Sequence, residues 1–209
     1  KKLLIIVVSI FISQGPIFAR TSVPPVVSKL VVMPDPQGHH EVIAAIDGAK
    51  NSIDMTMYHL TEENVIEALK RAAARPIVVR LILDQQSLKS TKYKTISEDL
   101  KSHGVSVVAS SPFFSIMHEK AMVIDKKFSF ISTINLVHNF EQTRDFGLML
   151  DDPAIASEFL SVFEADWQNG LSGLGFTPEL TNPFLAWSPV NSEARLVSLI
   201  DSAQSEIIL

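Results

Sequence analysis

Residues 117–135 read MHEKAMVIDKKFSFISTIN, and this stretch decides the predicted fold. Alternate side chains of a strand share one face, so His118 and Lys120 would lie together. An apolar run then leads to Asp125 and to a turn through two lysines, and residues 128–131 have the composition of a returning strand. We therefore expect an antiparallel hairpin here.

The predicted hairpin gathers four kinds of polar side chain. The returning strand leads to Thr133 and Asn135, which are again two residues apart. A neutral His118 imidazole is a competent nucleophile towards phosphorus near neutral pH. Lys120 supplies a positive charge, while Thr133 and Asn135 supply neutral donors for the non-bridging oxygens of a phosphodiester. This chemistry requires no metal ion and no other cofactor, because lysine neutralises the phosphate charge.

The same residues resemble the signature of the phospholipase D superfamily, His-x-Lys-x4-Asp-x6-(Gly/Ser)-(Ser/Thr)-x-Asn. In this chain the signature is formed by His118, Lys120, Asp125, Ser132, Thr133 and Asn135. Ser132 stands where the family more often has glycine. The resemblance covers about residues 30–167 and implies a phospholipase D-like layered α/β fold, in which helices flank a mixed β-sheet.

The resemblance also implies roles for individual residues. It implies a catalytic set of His118, Lys120, Asp125 and Asp145, with Lys120, Thr133 and Asn135 binding phosphate and no metal site. Asp145 stands near the position of a family acid that pairs with the histidine, and a carboxylate at a turn or strand start is the alternative. Asp125 directly precedes two lysines, so for this residue we favour a structural role in the hairpin turn over a catalytic one.

The rest of the chain alternates between strand and helix patterns, as is typical of a layered α/β domain. Apolar alternation and short apolar runs predict strands at residues 29–33, 52–58, 77–83, 105–109 and 146–150. Amphipathic periodicity predicts helices at residues 38–50, 61–74, 95–103 and 153–167.

Composition and the N-terminal residues limit which classes of protein fit this chain. The chain has 209 residues, 46% of them hydrophobic and 20% charged, which suits one globular domain or one and a half. Two lysines, a short apolar run and Ala19 predict a signal peptide at residues 1–19, and therefore export to the periplasm or medium. An uncleaved anchor is the alternative, although the run is shorter than the roughly 20 apolar residues of a membrane span.

The last 26 residues resemble the start of the domain. At an offset of 154 positions, apolar and acidic residues pair as Val42 with Leu196, Ile46 with Ile200, Asp47 with Asp201, Ala49 with Ala203 and Ile53 with Ile207. We predict a linker at 20–28, a first phospholipase D-like half at 29–170, a linker at 171–183 and the beginning of a second half at 184–209. A coincidental amphipathic helix is the alternative.

The resemblance implies a partner for the single motif. Family members use two facing motifs, in which one histidine attacks phosphorus and the other protonates the leaving alcohol. The second motif would come from further C-terminal sequence or from a second copy related by a two-fold axis.

The favoured function is hydrolysis of a phospholipid phosphodiester through a phosphohistidine intermediate. The formal net charge of −5 weighs against a non-specific nuclease, so nucleic acid is the less favoured substrate. The alternatives are a cardiolipin synthase-like phosphatidyl transferase, a metal-independent endonuclease and an inactive, truncated phosphate-binding relic.

Two further segments flank the motif. Lys89, Lys92 and Lys94 form a short basic cluster, whose simplest interpretation is a solvated helix face. Residues 111–117, SPFFSIM, precede His118. Their apolar side chains would either line the mouth of an acyl-chain site or, as we favour, pack as core under the loop.

Overall fold

The computed structural model describes residues 25–138, 142–174 and 178–208, which form a seven-stranded mixed sheet with helices on both faces. The strands are β1 (Val27–Val32), β2 (Ser52–Met57), β3 (Val78–Leu83), β4 (Ser106–Ala109), β5 (Lys120–Ile124), β6 (Phe128–Ser132) and β7 (Phe146–Asp151). The helices are α1 (His40–Gly48), α2 (Glu63–Ala73), α3 (Thr91–Ser102), α4 (Pro153–Ser172) and α5 (Ser192–Asp201), with a 3₁₀ turn at Ser87–Lys89. The predicted mixed sheet flanked by helices is confirmed.

The strand order β1-β7-β6-β5-β2-β3-β4 explains where a site can form. Strands β2, β3 and β4 are parallel, whereas β5 runs antiparallel to β2, with Met57 opposite Lys120. The carboxyl ends of the parallel strands therefore meet the amino end of β5 at one edge of the sheet. Loops at such an edge are free to carry polar side chains, because the strands behind them supply the rigid core.

The core has two layers, one on each face of the sheet. One layer joins α1, α2 and α3 to β2 and β3 through fully buried side chains such as Ile46, Leu69 and Met55. The other joins α4 to β5 through Val123 and Phe159. Successive residues of each central strand thus enter opposite layers, which accounts for the strands being buried on both faces.

Two helices extend beyond their predicted bounds by about one turn. Helix α3 begins at Thr91, one turn earlier than predicted, because Ser90 precedes it and its hydroxyl caps the first turn. Helix α4 continues to Ser172 and ends at Gly173, whose backbone is left-handed with φ 73°.

The C-terminal segment, predicted to begin a second half, contains helix α5. Helix α5 has no buried residue, and no strand forms among described residues 178–208. Leu196 and Ile200 are 54% and 50% exposed, whereas the aligned Val42 and Ile46 are fully buried in α1. The beginning of a second half therefore stays a prediction.

The predicted signal peptide at residues 1–19 lies outside the described residues, as does most of the predicted linker at 20–28. The end of that linker differs from the prediction, because β1 already begins at Val27. Across the three described ranges, no helix combines the length and the apolar character needed to span a bilayer.

Candidate active site

The candidate site is at the edge of the sheet where β2 and β3 end and β5 begins. Tyr58 follows β2, Asp84 follows β3 and His118 precedes β5. The Tyr58 N–H donates to the carbonyl of Glu119 over 3.1 Å, so pairing of the two chains continues past the end of β2. Backbone pairing thus brings residues more than 50 positions apart into one cluster.

Lys120 is the charged centre of this cluster. It is the first residue of β5 and only 4% exposed. Its Nζ donates to the His118 carbonyl over 2.7 Å and lies 4.9 Å from the centre of the Tyr58 ring. Burial lowers the pKa of Lys120, and the carboxylate of Asp145 opposes that shift. A buried ammonium with one neutral acceptor and one nearby carboxylate can take an anionic ligand as a further partner.

His118 lies beside this charge with its imidazole accessible. The ring is 4.6 Å from that of Tyr58, tilted by 56°. Burial and the Lys120 ammonium lower the pKa of His118, and Asp84 opposes them. Among the described residues, no group hydrogen-bonds to either ring nitrogen. The imidazole is therefore held in its neutral, nucleophilic form near pH 7.

Asp145 lies near Lys120 but is not paired with His118. Its Oδ1 accepts the Thr133 hydroxyl over 2.7 Å, and the Phe146 N–H donates to the same hydroxyl over 3.0 Å. The histidine–acid pairing expected for Asp145 is thus absent from this arrangement. The Thr133 hydroxyl proton is already used, so Thr133 must release Asp145 before it can donate to a phosphate.

Asn135 is placed by the loop that follows β6. The Leu136 N–H donates to the carbonyl of His59 over 3.0 Å, which docks this loop against the end of β2. The Oδ1 of Asn135 is buried and has no hydrogen-bond partner within the described part of the chain. Rotating the amide by 180° would put its NH₂ donors at that position, which suits a bound phosphate oxygen.

The structure does not bring Asp125 into this cluster. Asp125 lies at the other end of β5, in a tight turn where it and Lys126 have left-handed backbones, φ 54° and 57°. Its carboxylate accepts the backbone N–H groups of Lys50, Asn51 and Ser52 over 2.6–3.0 Å. Burial raises the pKa of Asp125, but these three donors outweigh burial and lower it overall. This geometry agrees with the favoured turn role and places Asp125 at the end of β5 away from His118.

Four residues that the sequence did not single out complete the cluster. His59 stacks on Tyr58 with ring centres 3.9 Å apart, and Tyr93 of α3 lies 5.8 Å from His59. Burial raises the pKa of Tyr93 to about 12, and Tyr58 and Asp84 add to the shift. Asp84 is fully buried and accepts the N–H of Met117 over 3.0 Å, which positions the segment leading to His118. The place of Asp84 at the end of a predicted buried strand could have indicated it as a site residue. Tyr93 lies on a helix, and no sequence pattern indicated it.

No group of three or more carboxylate and imidazole side chains in the described ranges has a geometry suited to a metal ion.

Comparisons with known proteins agree with this arrangement. A family model described as "Cardiolipin synthase, PLD-like domain" matches residues 42–167. A Rickettsia conorii protein named "Phospholipase D" is 28% identical over 136 residues, which are 64% of this chain and 64% of that protein. The match thus spans slightly less than two thirds of that relative.

Two solved structures share the fold. The phospholipase D family member Nuc from Salmonella typhimurium superposes with a TM-score of 0.63 and 23% identity, over 68% of this chain and 95% of that one. NucT from Helicobacter pylori superposes with a TM-score of 0.62 and 25% identity, over 71% of this chain and 98% of that one. Because the matched family model covers more than half of the chain and includes the whole His118 cluster, the chain belongs to the phospholipase D superfamily.

Proposed function

We propose that this phospholipase D-like phosphodiesterase hydrolyses the phosphodiester of a phospholipid through a covalent intermediate on His118. The observation that carries the proposal is an accessible imidazole, free of protein hydrogen bonds among the described residues, beside the buried ammonium of Lys120. The pKa of that imidazole is lowered, so it is ready to attack an electrophile.

The reaction has two displacements. A ring nitrogen of His118 forms a bond to phosphorus, and the bond from phosphorus to the head-group oxygen breaks as that oxygen takes up a proton. Water then attacks phosphorus and loses a proton, the phosphorus–nitrogen bond breaks, and the phosphomonoester leaves. Lys120 and Asn135 stabilise the negative charge on the non-bridging oxygens in both steps.

The proton for the leaving oxygen requires an acid opposite His118. In keeping with the family resemblance, we propose that a second histidine motif supplies it, from a second copy of the chain or from a further half. Export from the cell, which the N-terminal sequence predicts, would give the enzyme access to membrane surfaces.

Lipid is favoured over nucleic acid by two observations. The relative from Rickettsia conorii carries the name "Phospholipase D". The formal net charge of −5 provides no broad positive field for a polyanion.

The test compares phosphatidylcholine with plasmid DNA in the presence of a chelator. We expect choline release without DNA cleavage, and continued formation of phosphatidic acid when a primary alcohol is added to compete with water for the intermediate. DNA cleavage alone would identify an endonuclease, and transfer to the alcohol without hydrolysis would identify a transferase.

We further expect His118→Ala to lower turnover at least about 10³-fold and to abolish the trapped phosphoenzyme, because the nucleophile is lost. His103→Ala is the matched control, since this histidine is exposed at the end of α3. Normal trapping of the intermediate in His118→Ala would contradict the assignment.

A further inference from the structure

Four large apolar side chains are exposed at the end of the molecule that carries His118. We call these residues the apolar rim, and they are Phe113, Ile116, Leu171 and Leu174, which are 67%, 50%, 63% and 69% exposed. The favoured sequence interpretation, in which the apolar residues of 111–117 pack as core, therefore fails for Phe113 and Ile116.

The rim comes from two segments that lie against each other. Phe113 and Ile116 belong to the loop that enters His118, and Leu171 and Leu174 flank Gly173 at the end of α4. A side-chain carbon built on Gly173 would lie 3.9 Å from Cγ of Pro112 in that loop. The rim is therefore one neighbourhood, adjacent to the nucleophile.

The loop is anchored while its apolar side chains stay exposed. The Gln85 side-chain amide donates to the carbonyl of Phe114 over 3.0 Å, and Met117 is tied to buried Asp84. The Phe113 and Phe114 rings pack edge to face, 5.2 Å apart. Clustered apolar side chains beside a site are typical of a surface that meets a partner, because water alone does not favour their exposure.

Positive charge flanks the same site. Lys89, Lys92 and Lys94 are exposed on the 3₁₀ turn and the start of α3, on either side of Tyr93, which faces His59. Within the part of the chain that the structure describes, none of these three lysines forms an ion pair with a carboxylate. The surface thus combines an apolar rim with unneutralised cations.

We propose that the apolar rim and these lysines form a docking surface for an anionic phospholipid bilayer. The rim enters the boundary between head groups and acyl chains, the lysines meet the anionic head groups, and a head-group phosphodiester is brought to His118. The delivery of substrate rests on the proposed function, whereas docking itself does not require turnover.

A bilayer fits this surface better than a second copy of the chain does. Two-fold pairing centred on the lysines would bring like charges together, and pairing centred on the rim would cover only the apolar part of the surface. Anionic lipid satisfies the apolar and the cationic parts together.

The experiment measures co-sedimentation with vesicles of pure phosphatidylcholine and of phosphatidylcholine containing phosphatidylglycerol. Phe113→Ser with Ile116→Ser is the test variant. Leu199→Ser with Ile200→Ser on α5 is the matched control, since those side chains are 67% and 50% exposed. We expect at least tenfold weaker vesicle binding for the test variant and wild-type binding for the control.

A charge variant and two substrates separate the contributions. Lys89→Gln, Lys92→Gln and Lys94→Gln together should remove the preference for anionic vesicles, as should high salt. The Phe113 and Ile116 variant should lose hydrolysis of vesicles in proportion to binding, yet keep wild-type turnover of monomeric short-chain phosphatidylcholine.

Several results would overturn the proposal. Wild-type sedimentation of the test variant would do so, as would dissociation of a dimer by the same substitutions, which would identify a contact between copies. Equal loss on both substrates would place the rim within the catalytic machinery instead; if the melting temperature falls as well, the milder Phe113→Ala with Ile116→Ala repeats the test. Intact docking without any lipid hydrolysis would reject the proposed function and leave the docking surface standing.

Discussion

Lys120 shows how much one residue controls in this site. Its ammonium is buried beside His118, so the two groups repel each other when both are protonated. The same charge is available to a phosphate. Binding of that anion would offset the free-energy cost of burying an incompletely paired cation. Together with burial, Lys120 thus lowers the pKa of His118, and the same charge would attract a phosphate-bearing substrate.

We expect Lys120→Met to raise the pKa of His118, because a positive neighbour is removed. The acid limb of the kcat/KM profile should consequently move to higher pH, while kcat/KM itself falls about 10²- to 10³-fold through lost transition-state stabilisation. An NMR titration of His118 and a pH–rate profile measure the two effects. Lys127→Met is the control, because Lys127 lies at the far end of the hairpin. An unchanged or lower pKa for His118 would contradict this account.

Among the structural elements, the turn between β5 and β6 is held by Asp125. Its carboxylate gathers three backbone donors from the segment that joins α1 to β2. It thereby ties a local hairpin to a distant connection, at the end of β5 opposite Lys120. The contacts of the motif aspartate therefore support the stability of the fold, away from His118 and Lys120.

We expect Asp125→Ala to destabilise the fold by about 2 kcal/mol, because three backbone donors lose a charged acceptor. Turnover per folded molecule should remain near that of the wild type. Denaturant unfolding measures the loss of stability, and an activity assay corrected for the concentration of folded enzyme measures turnover. Asp151→Ala, which removes only an exposed ion pair with Lys127, should cost less than about 1 kcal/mol. A large loss of turnover in a fully folded Asp125 variant would instead support a catalytic role.

At the scale of the whole molecule, the packing of α4 on the sheet brings two half-buried acids, Glu119 and Asp166, near each other. Glu119 precedes β5 and alternates with Lys120, and Asp166 lies on α4. Burial, followed by the charge of Asp166, raises the pKa of Glu119 to about 8, and burial raises that of Asp166 to about 6. Both acids therefore hold protons in the folded chain at a pH where the unfolded chain has released them.

This difference in proton binding gives the sign of the pH dependence. Between the ordinary pKa of a glutamate and about pH 8, the folded state binds more protons than the unfolded state, so stability falls as pH rises. We expect Glu119→Gln to raise the free energy of unfolding at pH 8 by about 1–3 kcal/mol and to flatten its decline over this window. Urea unfolding at several pH values measures this free energy, and Glu98→Gln, at an exposed position, is the control. A steeper decline in Glu119→Gln would refute the assignment.

The sequence by itself determined the elements and the chemistry of the motif. Alternation and apolar runs are local properties, so the strand around residues 120–124, its returning partner and the helices of the first 170 residues could all be predicted within about a turn. The full pattern from His118 to Asn135 indicated the family, because its spacing predicts a nucleophile and a charge two residues apart on one strand face.

Only the tertiary structure decided which other residues join them. Tyr58 and Asp84 lie near His118 because antiparallel β5 begins where parallel β2 and β3 end, a pairing over long sequence separations that no local pattern encodes. Tyr93 of α3 joins the cluster through its contact with His59. The same folding separates Asp125 from Lys120 by the length of β5 and pairs Asp145 with Thr133. Chain spacing limits which side chains share a strand face, whereas the packing of distant segments decides burial, and burial decides charge and reactivity.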